Sequence, residues 1–181
     1  ALAMAELLAR SGERIGWLGV TPPIVHRHAA ERLAAALMVS KTQSTFPDTS
    51  LISDHSEVIL ISDFLGADDQ EHALDPAFQA VAEKHVRGHL VQIIDPAEEV
   101  FPYSGRVEFR DPETKSQISF GSAQSIRADY QALFAAHCTE LSEFAKRTGW
   151  SHTLHHTDQL ASKALQSLHV DLSASPMRGV R

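Results

Sequence analysis

Two carboxylates stand where an α/β protein does its chemistry. Val58–Ile59–Leu60–Ile61 ends in Ser62–Asp63, and Leu90–Val91–Gln92–Ile93–Ile94 ends in Asp95–Pro96. Such near-continuous apolar runs predict strands buried on both faces, the habit of parallel sheets covered by helices. Ligands of these sheets bind at the carboxyl ends of the strands. Asp63 therefore occupies the place of a metal- or substrate-facing carboxylate, with the Ser62 hydroxyl beside it. Asp95 ends the second strand, and Glu98 and Glu99 follow it. Paired carboxylates suit general acid–base work. Adjacent glutamates in an exposed loop read first as a solvated acidic rim that a partner would meet.

Other chemistry-bearing residues are weaker. His152, His155, His156 and Asp158 look like metal ligands. On a strand, though, His152 and His156 face one way and His155 the other, so surface or capping roles are expected in place of zinc. His26 and His28 flank Arg27 as solvated turn residues, and Asp68, Asp69 and Glu71 read as a solvated loop. Cys138, the one cysteine, excludes an internal disulfide and falls in a helical pattern as a packed small side chain. The sequence has no Gly-rich phosphate loop, Gly-x-Ser-x-Gly elbow or Cys-x-x-Cys pair.

The elements that must position these residues alternate. Ala1–Arg10 reads as a helix from its first residue, closed near Ser11–Gly12. Arg14–Val20 predicts a strand, Thr21–Pro23 a turn and Ile24–Val25 a short edge segment. Ala30, Leu33, Ala34 and Leu37 repeat at helical spacing between His28 and Val39, and Ser40–Ser50 is a polar loop. Beyond Asp63 the pattern predicts a helix over Pro76–Lys84 and a strand over His89–Asp95. Arg106–Arg110 and Gln117–Phe120 alternate strictly around Asp111–Thr114, an inserted β-hairpin over about 104–121. A long helix, Ser125–Thr148, carries Ile126, Tyr130, Leu133, Phe134, Leu141 and Phe144 on its apolar side and stops at Gly149. Trp150–Thr157 is the last strand and Leu160–Leu172 the last helix. This order predicts an α/β fold, a doubly wound, mostly parallel sheet with helices on both faces, in a single domain over 1–181.

At 181 residues, with 43% hydrophobic and 22% charged residues, the chain has the composition of an ordinary globular domain. A formal net charge of -7 with scattered basic residues argues against nucleic acid as a partner. No apolar run approaches the roughly 20 residues of a membrane-spanning helix, and no signal-peptide pattern is evident. A cytoplasmic setting is expected. The opening helix has neither N-cap nor initiating methionine, which predicts that upstream residues are missing.

The order and wording of these elements resemble a bacterial family, domain of unknown function 58, whose core is similar to a von Willebrand factor type A domain. The matching stretches are Gly12–Glu13–Arg14–Ile15–Gly16, the run from Val58 to Leu65, the run from His89 to Glu99, Phe109–Thr114, and Leu154–His155–His156–Thr157–Asp158. The resemblance covers nearly the whole chain. It implies a Rossmann-like sheet whose strand-end rim, a metal-ion-dependent adhesion site, holds a divalent cation. The ligands come from an Asp-x-Ser-x-Ser motif after the central strand, a loop threonine and an aspartate ending the fourth strand. Mg²⁺ takes hard oxygen ligands in near-octahedral geometry, which explains the residue types. By this resemblance Asp63 is the fourth-strand aspartate and Ser62 a rim hydroxyl; Thr42, Thr45 and Thr49 are the candidates for the loop threonine, Thr45 put first, with no Gly-Thr pair to mark which one. The Asp-x-Ser-x-Ser motif is missing. The implied domain is thus N-terminally incomplete, its Mg²⁺ site lacks ligands, and its sheet has a gap between two hydrophobic strands.

The same resemblance implies a non-enzymatic protein-interaction module, Mg²⁺-assisted, working with a MoxR-type AAA+ ATPase in an assembly or chaperone-like system. Asp95, Glu98 and Glu99 would form the partner-binding rim. The alternative is a metal-dependent hydrolase or phosphotransferase using Asp63 and Asp95, and a third reading is a scaffold that binds no metal.

Overall fold

The computed structural model describes residues 1–40, 49, 52–65, 76–110 and 116–174. Thr42, Thr45, Asp68, Asp69, Glu71 and Asp111–Thr114 lie outside the described residues. The first half of the chain forms α1 (Leu2–Arg10), β1 (Ile15–Trp17), β2 (Thr21–Ile24), α2 (Ala29–Val39) and β3 (Glu57–Ser62). There follow α3 (Pro76–Ala82), β4 (Arg87–Ile94), α4 (Pro96–Val100), β5 (Val107–Arg110) and β6 (Gln117–Phe120). A 3₁₀ turn at Ala123–Ser125 leads into α5 (Arg127–Thr148), then β7 (Ser151–His156) and α6 (Ala161–Ala174).

The two aspartate-ended runs lie side by side in a parallel sheet ordered β3-β4-β7. Glu57 pairs with Arg87 and Ser62 with Gln92 at the two ends of one ladder, and His89 with Ser151 and Ile94 with His156 at the ends of the other. Side chains alternate between two helical layers. Val58 and Leu90 face α5, where Leu141, Phe144 and Ala145 join Val81 of α3 and Trp150. Ile59, Val91 and Ile93 face the opposite layer, meeting Met4 and Leu8 of α1 and Leu165 and Leu168 of α6. Helices on both faces of a parallel sheet were the expected arrangement.

One continuous doubly wound sheet is not what the chain forms. Its strands divide into the parallel sheet and two antiparallel pairs, β1-β2 and β5-β6. Thr21–Pro23, expected as a turn, is extended backbone in β2, paired Ile15↔Ile24 and Trp17↔Thr21. Prolines fit there because a two-stranded ribbon leaves one edge unpaired, where a missing N–H costs nothing. The expected Arg14–Val20 strand stops at Trp17, since the Val20 amide turns back onto the Trp17 carbonyl, 3.0 Å away. The run at Val58–Asp63 is not buried on both faces either. β3 lies at an edge of its sheet, and Ile61 near its carboxyl end is 41% exposed. β4, with a neighbour on each side, is the strand that is buried almost throughout.

α1 is a floor shared by the β1-β2 pair and the parallel sheet. Ala5 and Ala9 pack with Ile15 of β1 and Ala30 and Leu33 of α2, while Met4 packs with Val91 of β4. Leu8 belongs to both packings. On the far face Gly88 lets the Trp150 indole lie against β4, because a Cβ at residue 88 would fall inside the ring. Gly149 ends α5 in the left-handed region, at φ 71°, which a side chain would strain.

Candidate functional site

At the carboxyl end of β3 the sequence Ser62–Asp63–Phe64 makes a closed local turn. Ser62 Oγ donates to Asp63 Oδ1 at 3.2 Å and accepts from the Phe64 amide at 3.1 Å, and the Leu65 amide also donates to Asp63 Oδ1, at 3.1 Å. His137 of α5 reaches over the rim and donates to the Asp63 carbonyl at 3.3 Å. A carboxylate and a hydroxyl at this rim are hard oxygen donors. Mg²⁺ keeps several of its waters and takes few protein oxygens, so this carboxylate and hydroxyl would supply part of its shell at most. Among the described residues, no group of three or more His, Cys, Asp or Glu could hold a metal. Thr45 lies outside the described residues.

Asp95, Glu98 and Glu99 are not in an exposed loop: they start a helix. Asp95 is the N-cap of α4, Pro96 takes its first position, and Glu98 completes a reciprocal capping box. Asp95 Oδ1 accepts the Ala97 amide at 2.8 Å and Oδ2 accepts the Thr157 hydroxyl at 2.8 Å. These bonds, the Ala97 amide foremost, hold its carboxyl below the usual aspartate range. Glu99 Oε2 accepts from His156 Nε2 at 3.0 Å, tying α4 to the end of β7. The rim carboxylates are thus committed to positioning α4. The pattern Asp95-x-x-Glu98 with Pro96 was the available sequence signal for that cap.

The histidines of β7 separate by parity as expected. His152 Nε2 donates to Gln92 Oε1 at 3.1 Å, and Gln92, fully buried, donates from Nε2 to Cys138 Sγ at 3.5 Å. His155 lies on the opposite face, opposite Ile93. Burial pushes the Cys138 thiol up, away from the reactive thiolate, and its packed role stands. The His28 ring lies tilted beside His26, centroids 5.7 Å apart, and its Nδ1 lies 3.1 Å from Glu31 Oε2 at the start of α2.

Beyond the end of β4 the chain builds an aromatic lobe that the sequence reading did not assemble. Val107 and Phe109 of β5 share one face of the hairpin with Ile118 and Phe120 of β6. Phe109 lies 5.8 Å from Phe101 and 5.2 Å from Tyr103, centroid to centroid, and Phe101 lies 4.6 Å from Tyr130. Phe134 stacks on Tyr130, one helical turn away along α5. Burial, with Glu98 nearby, raises the Tyr130 phenol above its ordinary value. Arg127 fastens the lobe by donating to the Phe101 and Tyr103 carbonyls at 3.1 and 2.8 Å. Ile118, 57% exposed, extends this apolar face to the surface.

A crystal structure of the conserved hypothetical protein BatB from Bacteroides thetaiotaomicron is similar at a TM-score of 0.47 and 16% identity, over 96% of this chain and 87% of that one. An uncharacterized membrane spanning protein from Vibrio fischeri is similar at a TM-score of 0.29 and 13% identity, over 97% and 83%. Among curated proteins none matches. Among the described residues no helix is long and apolar enough to cross a membrane. The family model described as protein of unknown function DUF58 matches residues 1–140, and the chain belongs to that family.

Proposed function

We propose that this chain is a non-enzymatic protein-interaction module of von Willebrand factor A-like type, acting in the cytoplasm with a MoxR-type AAA+ ATPase in an assembly or chaperone-like system. The observation that carries the reading is the build of the strand-end rim. Its carboxylates at 95, 98 and 99 are used to cap and tie a helix, and that helix leads into an aromatic lobe with Ile118 at its surface. Exposed Val100, Tyr103 and Ile118 on this helix and lobe are the apolar side chains a partner would bury. Asp63 and Ser62 are the rim oxygens offered to a Mg²⁺ ion, with Thr45 as a further hydroxyl. A partner's carboxylate and other oxygens would have to complete the shell.

The hydrolase or phosphotransferase alternative needs Asp63 and Asp95 as available carboxylates. Both oxygens of Asp95 already accept hydrogen bonds that hold α4, which counts against that use. Binding of a MoxR-type ATPase to the immobilised chain, with Mg²⁺ and with a chelator, tests the proposal. Expected are measurable binding, at least about a tenfold loss in Ile118→Asp, and loss of Mg²⁺ sensitivity in Asp63→Ala. Absence of binding in either condition would reject the ATPase as partner. Turnover of a generic phosphoester that vanishes in Asp63→Ala would favour the alternative.

A further inference from the structure

We propose that α6 is a releasable strap on the parallel sheet and that His89 is its acid-sensitive latch. Three separate features lead there. First, α6 runs for 14 residues, yet Leu168 is its buried residue, with Ala164, Leu165 and Leu172 packed only partly against the sheet and α1. Second, an open cleft of about 440 Å³ lies between α6 and β7, lined by Ser151, Thr153, Gln166, Ser167, Val170 and Asp171 among others. Third, His89 of β4 is 3% exposed on the face that α6 covers. Its Nδ1 shares a 2.9 Å hydrogen bond with Ser151 Oγ, and its Nε2 is buried with no hydrogen-bond partner.

Neutral His89 is tolerable there, as a flat, largely apolar ring with one hydrogen bond. Imidazolium is not, because it adds a second N–H and a full charge where neither water nor an acceptor reaches. The charged groups acting on the ring are Glu57 of β3, Asp171 of α6 and Arg87 on its own strand. Glu57 and Arg87 are already paired with each other. α1 contributes apolar Met4 and Leu8 to this face, and β7 contributes Ser151 and His155. Burial outweighs the two carboxylates and holds the ring below its ordinary histidine value.

The cheapest relief on protonation is local. Lifting α6, which borders the cleft and is anchored mainly by Leu168, lets water reach Nε2–H. Acid therefore opens the strap before it melts the sheet, and it bares Val91, Ile93 and Met4.

Amide hydrogen exchange on the 181-residue chain, corrected for intrinsic pH dependence, tests this at about pH 7.5 and about pH 5.5, either side of the usual histidine value. Protection over 161–174 is expected to fall several-fold, about tenfold at most for one histidine, on acidification, while β4 and α5 change less than about twofold. His89→Phe should flatten that response and His155→Gln should keep it. Leu168→Ala should open α6 already at the higher pH. An NMR titration of the wild-type His89 ring, with the same midpoint as the loss of α6 protection, serves if His89→Phe does not fold. Unchanged α6 protection overturns the proposal. So does a loss shared equally by β4, or an acid response that survives His89→Phe.

Discussion

Single side chains in this molecule are placed by what their neighbours leave room for. Gly88 has no left-handed backbone to defend; it is there because the Trp150 indole occupies the space of a Cβ. Gly88→Ala is expected to destabilise by about 1–3 kcal/mol through overpacking, read from urea midpoints at unchanged slope. The buried imidazoles set an acid limit. His89 and His152 are both held below the histidine value of 6.5, chiefly by burial. A depressed folded-state value means that the unfolded chain binds the proton more readily. Their contribution is therefore complete above about pH 6.5 and is lost as pH falls through the folded-state values. Asp95 is also depressed, so its contribution is present above the ordinary carboxylate value and disappears at lower pH still. Denaturation midpoints measured along a pH series should fall in two stages, and His89→Phe should shrink the first.

At the scale of elements, the hairpin β5-β6 is held by one apolar face. Removing the Phe109 ring takes away the contacts with Phe101, Tyr103 and Phe120 together. Phe109→Ala is expected to cost about 2–3 kcal/mol and to erase the near-ultraviolet signal of the tyrosines, with exchange protection of β4 retained. This hairpin was legible in the sequence because strict alternation has one physical meaning, a ribbon with one face buried. The end of α5 at Gly149 was legible for a similar reason. Other elements were not. The runs at Val58 and Leu90 look alike as composition, yet one forms an edge strand and the other the central strand, because a neighbour on each side is a property of topology. Two adjacent prolines read as a turn until a ribbon edge makes their missing donors harmless. Asp63 and Ser62 were placed at a strand end by the apolar run before them. Glu98 and Glu99 were read as an exposed loop when the spacing from Asp95 to Glu98 already spelled a helix cap. Gln92, polar inside an apolar run, marked the seam to His152 and Cys138 without naming its partners.

For the molecule as a whole, charge and exposed apolar backbone pull in opposite directions. Among the described residues no strand pairs with the outer edge of β3, which carries the exposed Ile61 and has neither proline nor lysine to blunt it. A net charge of -7 keeps copies apart at low salt. Self-association seen by sedimentation velocity should therefore grow as salt rises, and Ile61→Lys should suppress it.

The floor that α1 lays under the β1-β2 pair and the parallel sheet has a consequence for how the chain comes apart. The ribbon with α2 and the parallel sheet with α6 each have their own packing, and Leu8 takes part in both. Leu18, packed against the core that contains Val58, is a second tie. A chain joined in this way melts as one cooperative unit only while those ties are worth more than the stability difference between its halves. Leu8→Ala, at a half-buried position, weakens one tie by about 1–2 kcal/mol. Calorimetry of that variant should show a broader transition than the parent's, and truncating Leu8 and Leu18 together should resolve two, so a pair of leucines sets whether this protein behaves as one folding unit or two.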